Sequence, residues 1–156
     1  MTMTTIAPVT KTVTVHATPE KAFEVFTARF GDWWPLATHH TAQEDVEGAC
    51  IEPRVGGRWF ERGVKGTETI WGYVTAWEPP ARLVLAWHLN VDFQFDPDVA
   101  SEVEVTFVAN DASTTTVTLV HRNLEVYGDG ASTLRASIDG EGGWGAILQA
   151  FADLAG

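Results

Sequence analysis

From Val9 to His16 the chain alternates β-branched residues with Thr and Lys, the period of two expected of a half-buried strand. The period then changes. Thr18-Pro19-Glu20-Lys21 predicts a helix start, because Thr18 can accept from an orphan amide and Pro19 fits the first helical position. Ala22, Phe23, Val25, Phe26 and Phe30 follow at helical spacing. Gly31 is expected to end this helix, and Asp32-Trp33-Trp34-Pro35 to break the chain sharply, since proline disfavours helix in the residue before it.

A long strand-rich region comes next. Gly56-Gly57 interrupts the pattern between Ile51 and Arg58-Trp59-Phe60-Glu61. Ile70 to Trp77 and Leu83 to Leu89 read as strands joined by Glu78-Pro79-Pro80-Ala81, whose prolines cannot sit inside a ladder. Glu102 to Ala109 and Thr115 to Arg122 form a hairpin across Asn110-Asp111-Ala112-Ser113. Parity assigns the faces. Leu83, Leu85, Trp87 and Leu89 fall on one side of their strand, as do Val103, Val105 and Phe107, and Val117, Leu119 and His121. Glu102 and Glu104 take the opposite, wet side, so an antiparallel sheet with one buried face is expected. On the same reasoning Trp71 and Trp77 share a face with Tyr73 and Thr75, Gly72 and Val74 take the other, and His88 faces solvent.

Asn123 to Gly143 reads as irregular. Trp144, Ile147, Leu148, Phe151 and Leu154 then mark one apolar face of a closing helix. A helix of about 12 residues is roughly 18 Å long, enough to cross several strands. Strand, helices, a run of antiparallel strands and a terminal helix make an α+β order rather than alternating βαβ.

Composition narrows the function classes. The 156 residues are 45% hydrophobic, which excludes intrinsic disorder and fits a single domain over 1–156. Ten basic against 21 acidic side chains give a net charge of −11, so nucleic acid and anionic membrane are not expected partners. No apolar run reaches the roughly 20 residues of a membrane span. The segment Met1 to Pro8 has neither the basic nor the apolar region of a secretion signal, and Cys50 is a lone cysteine, so a cytoplasmic location is expected.

Several ordered motifs carry a family resemblance. They are Ala17-Thr18-Pro19-Glu20-Lys21-Ala22-Phe23 with Phe30 and Trp33-Trp34, then Glu52-Pro53-Arg54-Val55-Gly56-Gly57-Arg58-Trp59. Gly72-Tyr73-Val74, Glu78-Pro79-Pro80-Ala81-Arg82-Leu83, Thr118-Leu119-Val120-His121 and Gly143-Trp144 complete the set. In this order they resemble the SRPBCC (START-like, Bet v 1-like) superfamily and, within it, the AHSA1 group, relatives of the activator of Hsp90 ATPase. The resemblance implies a helix-grip fold: a curved antiparallel sheet around a long C-terminal helix, two short helices after the first strand, and a cavity between sheet and helix.

Other chemistry is sparse. Gly140-Glu141-Gly142-Gly143-Trp144-Gly145 satisfies G-x-G-x-x-G, but a dinucleotide site also needs a strand before it and a second after. The histidines His16, His39, His40, His88 and His121 lack metal-ligand spacing, His39-His40 being their only local cluster, so neither a metal nor another cofactor is expected. Ser101, Ser113, Ser132 and Ser137 lie in turns or loops without a nucleophile motif. Arg54, Arg58, Arg62 and Lys65 read as solvated strand charges flanked by Glu52 and Glu61, or as an anion-binding rim.

His121 continues an inward row, either as a core histidine satisfied by a backbone carbonyl or as a functional group. With the aromatic residues it defines a candidate pocket of Trp34, Trp87, His121, Trp144, Leu148 and Phe151, apolar with one titratable group. The leading expectation is a protein that binds a small apolar or amphipathic ligand between sheet and helix. Two alternatives follow from the resemblance: a cyclase- or hydrolase-type enzyme using the same cavity, and an Hsp90-type co-chaperone, disfavoured by the absent N-terminal domain of the eukaryotic activator. Assembly into a homodimer stays open.

Overall fold

A computed structural model describes residues 6–34, 46–92, 94–140 and 143–156. Met1 to Thr5, Pro35, His39-His40 and the Glu141-Gly142 part of the glycine motif lie outside the described residues. The chain runs β1 (Val9–Val15), α1 (Pro19–Thr27), α2 (Phe30–Trp33), β2 (Val46–Ile51), β3 (Arg58–Gly63), β4 (Glu68–Glu78), β5 (Arg82–Trp87), β6 (Ser101–Ala109) and β7 (Thr115–Arg122). A 3-10 segment (Leu124–Gly130), α3 (Ala131–Asp139) and α4 (Trp144–Ala155) follow. The strands form one antiparallel sheet in the order β1-β7-β6-β5-β4-β3-β2, curled into a half-barrel around α4. This is the α+β helix-grip arrangement.

Local chemistry sets the boundaries. The Lys21 amide donates to Thr18 Oγ1 at 3.2 Å, and Pro19 opens α1. Asp111 Oδ1 accepts from the amides of Ser113 and Thr114, both at 2.8 Å, which fixes the β6–β7 turn. The His16 amide donates to the Gly156 carbonyl at 2.9 Å, tying the end of α4 to the end of β1. The inward rows of β5, β6 and β7 are buried as parity predicts, through Leu83, Leu85 and Trp87, Val103 and Val105, and Val117 and Leu119. No helix among the described residues is long and apolar enough to cross a membrane.

Four expectations are corrected. Gly31 does not end a helix: α1 stops at Thr27, and Gly31 lies inside α2, where an added Cβ would come within 2.8 Å of the Ala49 carbonyl on β2. Its missing side chain serves packing between α2 and the sheet. The stretch after Asn123 is not irregular either, since α3 buries Ala131, Leu134 and Ile138 at i, i+3 and i+7.

On β4, two register shifts break the parity. One lies opposite Trp59 and Phe60 and the other between Val74 and Ala76. An extra residue at each bulge turns the following side chains over. Trp71 and Val74, expected on opposite faces, are therefore both in the core, and Trp77 packs edge-on against Phe23 at 5.0 Å. His88 is half-buried between Tyr73 and Phe95, each ring 5.7 Å away, rather than free in solvent.

The outer sheet face carries an ion-pair ladder. Arg82 and Arg122 both pair with Glu104, and Arg122 also with Glu102. Farther along, Arg58 bridges Glu52 and Glu68, and Arg62 joins Glu68. The guanidiniums of Arg58 and Arg62 lie 4.3 and 5.9 Å from the Phe60 ring centre. Hydrogen bonds from these arginines hold Glu52, Glu68 and Glu104 below the usual carboxylate range.

Candidate functional site

Register assembles the site. Trp87, last on β5, pairs with Ser101, first on β6, while Val103 pairs with His121 on β7. Ser101 and His121 are the end members of inward rows and are wholly buried. Trp144 opens α4 directly above them, with its ring centre 5.9 Å from His121 and 5.6 Å from Trp87. Gly143 allows this close start, because an added Cβ would fall onto the Ile138 carbonyl.

A directional hydrogen-bond chain runs through the group. Trp144 Nε1–H donates to His121 Nδ1 at 3.0 Å. Indole nitrogen only donates, so Nδ1 is an acceptor and the neutral ring carries its proton on Nε2. That proton points to Ser101 Oγ, 2.8 Å away. Ser101 Oγ lies 3.0 Å from the Tyr127 hydroxyl, which itself donates to the Leu89 carbonyl at 2.8 Å. Ser101 therefore donates to Tyr127, with the Trp87 carbonyl at 3.5 Å as a weaker acceptor. Burial pushes the His121 ring down to about 3, so it is neutral across the physiological range. Burial also pushes the Tyr127 phenol up to about 12, against the opposing effect of the Ser101 hydrogen bond.

This polarity has a chemical consequence. A histidine that activates a serine must present an unprotonated nitrogen to the hydroxyl. His121 presents N–H instead, which leaves Ser101 an ordinary hydroxyl and gives no support to a serine hydrolase. Both His121 ring nitrogens have partners, and these are the side chains of Trp144 and Ser101 rather than the expected backbone carbonyl.

The six residues expected at the site do not all meet. Trp34, Trp87, His121 and Trp144 form one cluster, with Trp34 5.9 Å from Trp144 and Trp87 5.0 Å from His121. Leu148 is wholly buried one helical turn beyond Trp144. Phe151 lies farther along α4, against Phe26 at 5.3 Å and Trp33 at 5.4 Å, and belongs to the packing between α4 and the two N-terminal helices.

Ser101, Tyr127, Trp59, Trp71 and Glu61 were missed by sequence reasoning. Ser101 had a legible signal, since it shares parity with Val103, Val105 and Phe107. Glu61, read as a solvated flank of the arginines, is instead wholly buried and accepts from Trp71 Nε1 at 2.8 Å. It shares parity with Trp59, whereas Arg58 and Arg62 point to the outer face. Tyr127 sits in the 3-10 segment and had no periodic signal.

Among the described residues, no three His, Cys, Asp or Glu side chains gather as a metal ion would need. A shallow groove lined by Val91, Asp92, Gly130, Thr133, Leu134 and Ser137 opens at the surface beside α3 and includes none of the aromatic cluster.

Fold and site together define a helix-grip domain with a tryptophan-rich interior threaded by a short polar chain. The model of the family described as "Activator of Hsp90 ATPase homolog 1-like protein" (AHSA1) matches residues 16–156, and the chain belongs to that family. Among solved structures it is similar to an anthrahydroquino-gamma-pyrone synthase, Txn09, at 41% identity and TM-score 0.66, covering 96% of this chain and 97% of the other. It is also similar to CalC, a self-sacrificing resistance protein from Micromonospora echinospora, at 33% identity and TM-score 0.71, covering 96% and 94%. An Hsp90 activator from Plasmodium falciparum, at 21% identity and TM-score 0.54 over 76% of this chain and 74% of the other, shares the fold. A comparison with curated proteins returned no match.

Proposed function

We propose that the chain binds a flat, oxygenated, largely apolar molecule of the anthraquinone or pyrone type between the concave sheet and α4. One observation carries this reading: Trp34, Trp87 and Trp144 converge around the buried His121–Ser101–Tyr127 chain. Apolar walls with a few placed polar groups are the usual makeup of a small-molecule site. Aromatic faces and edges match a planar polycycle through offset and edge-on contacts. The 41% identity to a synthase named for an anthrahydroquinone-fused pyrone supports the ligand class.

A thermal-shift screen of anthraquinones, sterols and fatty acids tests it. At 100 times its dissociation constant a specific ligand stabilises the fold by about 2.7 kcal/mol, a rise of roughly 5–10 °C in Tm for a chain this size. The expected outcome is a shift confined to the planar oxygenated compounds, accompanied by quenched tryptophan fluorescence. No shift across the panel would overturn the reading.

A catalytic reading, closure of a pyrone ring on such a molecule, is favoured by the same synthase relative. It is separated from plain binding by whether a bound 1,3-diketone with a neighbouring phenol is recovered as the pyrone, its phenol oxygen joined to the farther carbonyl carbon and one water lost. The co-chaperone reading is weaker, because the likeness to an Hsp90 activator at 21% identity reaches only the fold.

A further inference from the structure

Of the buried indoles, Trp33 donates to the Val25 carbonyl at 3.0 Å, Trp71 to Glu61 and Trp144 to His121. Trp59 Nε1 and Trp87 Nε1 are buried with no hydrogen-bond partner among the described residues. Their ring centres are 5.4 Å apart. Both residues lie in register with Gly72, Trp59 across from it on β3 and Trp87 across from it on β5. An added Cβ at Gly72 would fall onto the Ala86 carbonyl, so the position is closed to other residues and no side chain separates the two indoles. Two unpaired donors sit side by side on the concave face, next to Trp34 and Trp144.

An unpaired buried donor costs about 1–3 kcal/mol, and folded proteins keep few of them. We propose that Trp59 and Trp87 form a two-donor receptor for the neutral carbonyl oxygens of a bound quinone, pyrone or polycyclic ketone. The proposal rests on the binding reading above and specifies the ligand chemistry. An indole N–H can only donate, so the ligand must bring acceptors. The acceptors must be uncharged, because a carboxylate would be stripped of water with no cation to receive it. Among the described residues no lysine or arginine is buried, and Glu61, next to Trp71, adds an acidic group to the same interior. Fatty acids are therefore disfavoured relative to quinones.

The test compares 9,10-anthraquinone with anthracene, the same skeleton without oxygen, on protein labelled with 15N-tryptophan. Trp59→Phe and Trp87→Phe assign the two indole resonances. Anthraquinone should move both indole protons downfield and bind at least about tenfold more tightly than anthracene, the equivalent of one buried hydrogen bond. If anthraquinone quenches tryptophan fluorescence but neither indole proton moves downfield, or if anthracene binds equally well, the receptor is wrong while the binding site stands. If neither compound binds, both fall. Should a variant fail to fold, the affinity ratio of the two probes on the unmodified protein decides alone.

Discussion

Phe151→Ala is expected to destabilise the protein by about 3–5 kcal/mol, the usual cost of removing a fully buried aromatic ring. Phe151 is wholly buried and meets Phe26 and Trp33 edge-on, so one ring joins α4 to both α1 and α2. The space it leaves is bounded by other rigid rings, which cannot collapse far into it. Denaturant unfolding with an unchanged m-value checks the size of the effect. A loss below about 0.5 kcal/mol, typical of surface positions, would mean that α4 is not gripped.

Acidification from pH 7.5 to pH 5 is expected to remove about 2 kcal/mol of stability through His121 alone. The sign follows from the depressed folded value. The unfolded chain takes up a proton near pH 6.5, while the buried ring stays neutral down to about 3. Between those values the unfolded state binds more protons, so stability falls as pH falls. The groups against the ring are Trp87, Trp144 and Ser101, and beyond Ser101 the Tyr127 phenol titrates only near 12. The outer carboxylates Glu52, Glu68 and Glu104, depressed by their arginine hydrogen bonds, lose their contribution only at lower pH. Subtracting the pH profile of a His121→Leu variant isolates the effect. Parallel profiles for the two proteins would show that the imidazole charges as freely in the folded state as in the unfolded one.

Period and parity were readable wherever the strands were regular. The inward row ending at His121 was legible because β7 runs without a bulge, and the closing helix because its apolar face repeats at 3.6 residues. β4 resisted the same reasoning, since a bulge is one unpaired residue with no distinct composition, yet it reverses every later side chain. Glu61 carries conflicting signals, since its charge argues for solvent while its parity with the buried Trp59 argues for the core. α3 was obscured by the glycines around it, although Ala131, Leu134 and Ile138 carried the helical spacing. The polar chain could be read only in part. Ser101 and His121 sit at row ends that pattern can locate, but Tyr127 reaches them from a 3-10 turn whose position depends on tertiary packing.

The central claim, that a planar oxygenated molecule lies between the sheet and α4, is most directly tested by intermolecular nuclear Overhauser effects from bound anthraquinone. The account predicts contacts from the ligand's aromatic protons to the Leu148 methyl groups and to the indole protons of Trp87 and Trp144. Contacts confined to Val91 and Leu134 in the surface groove, or to Tyr73 on the outer side of the sheet, would contradict it.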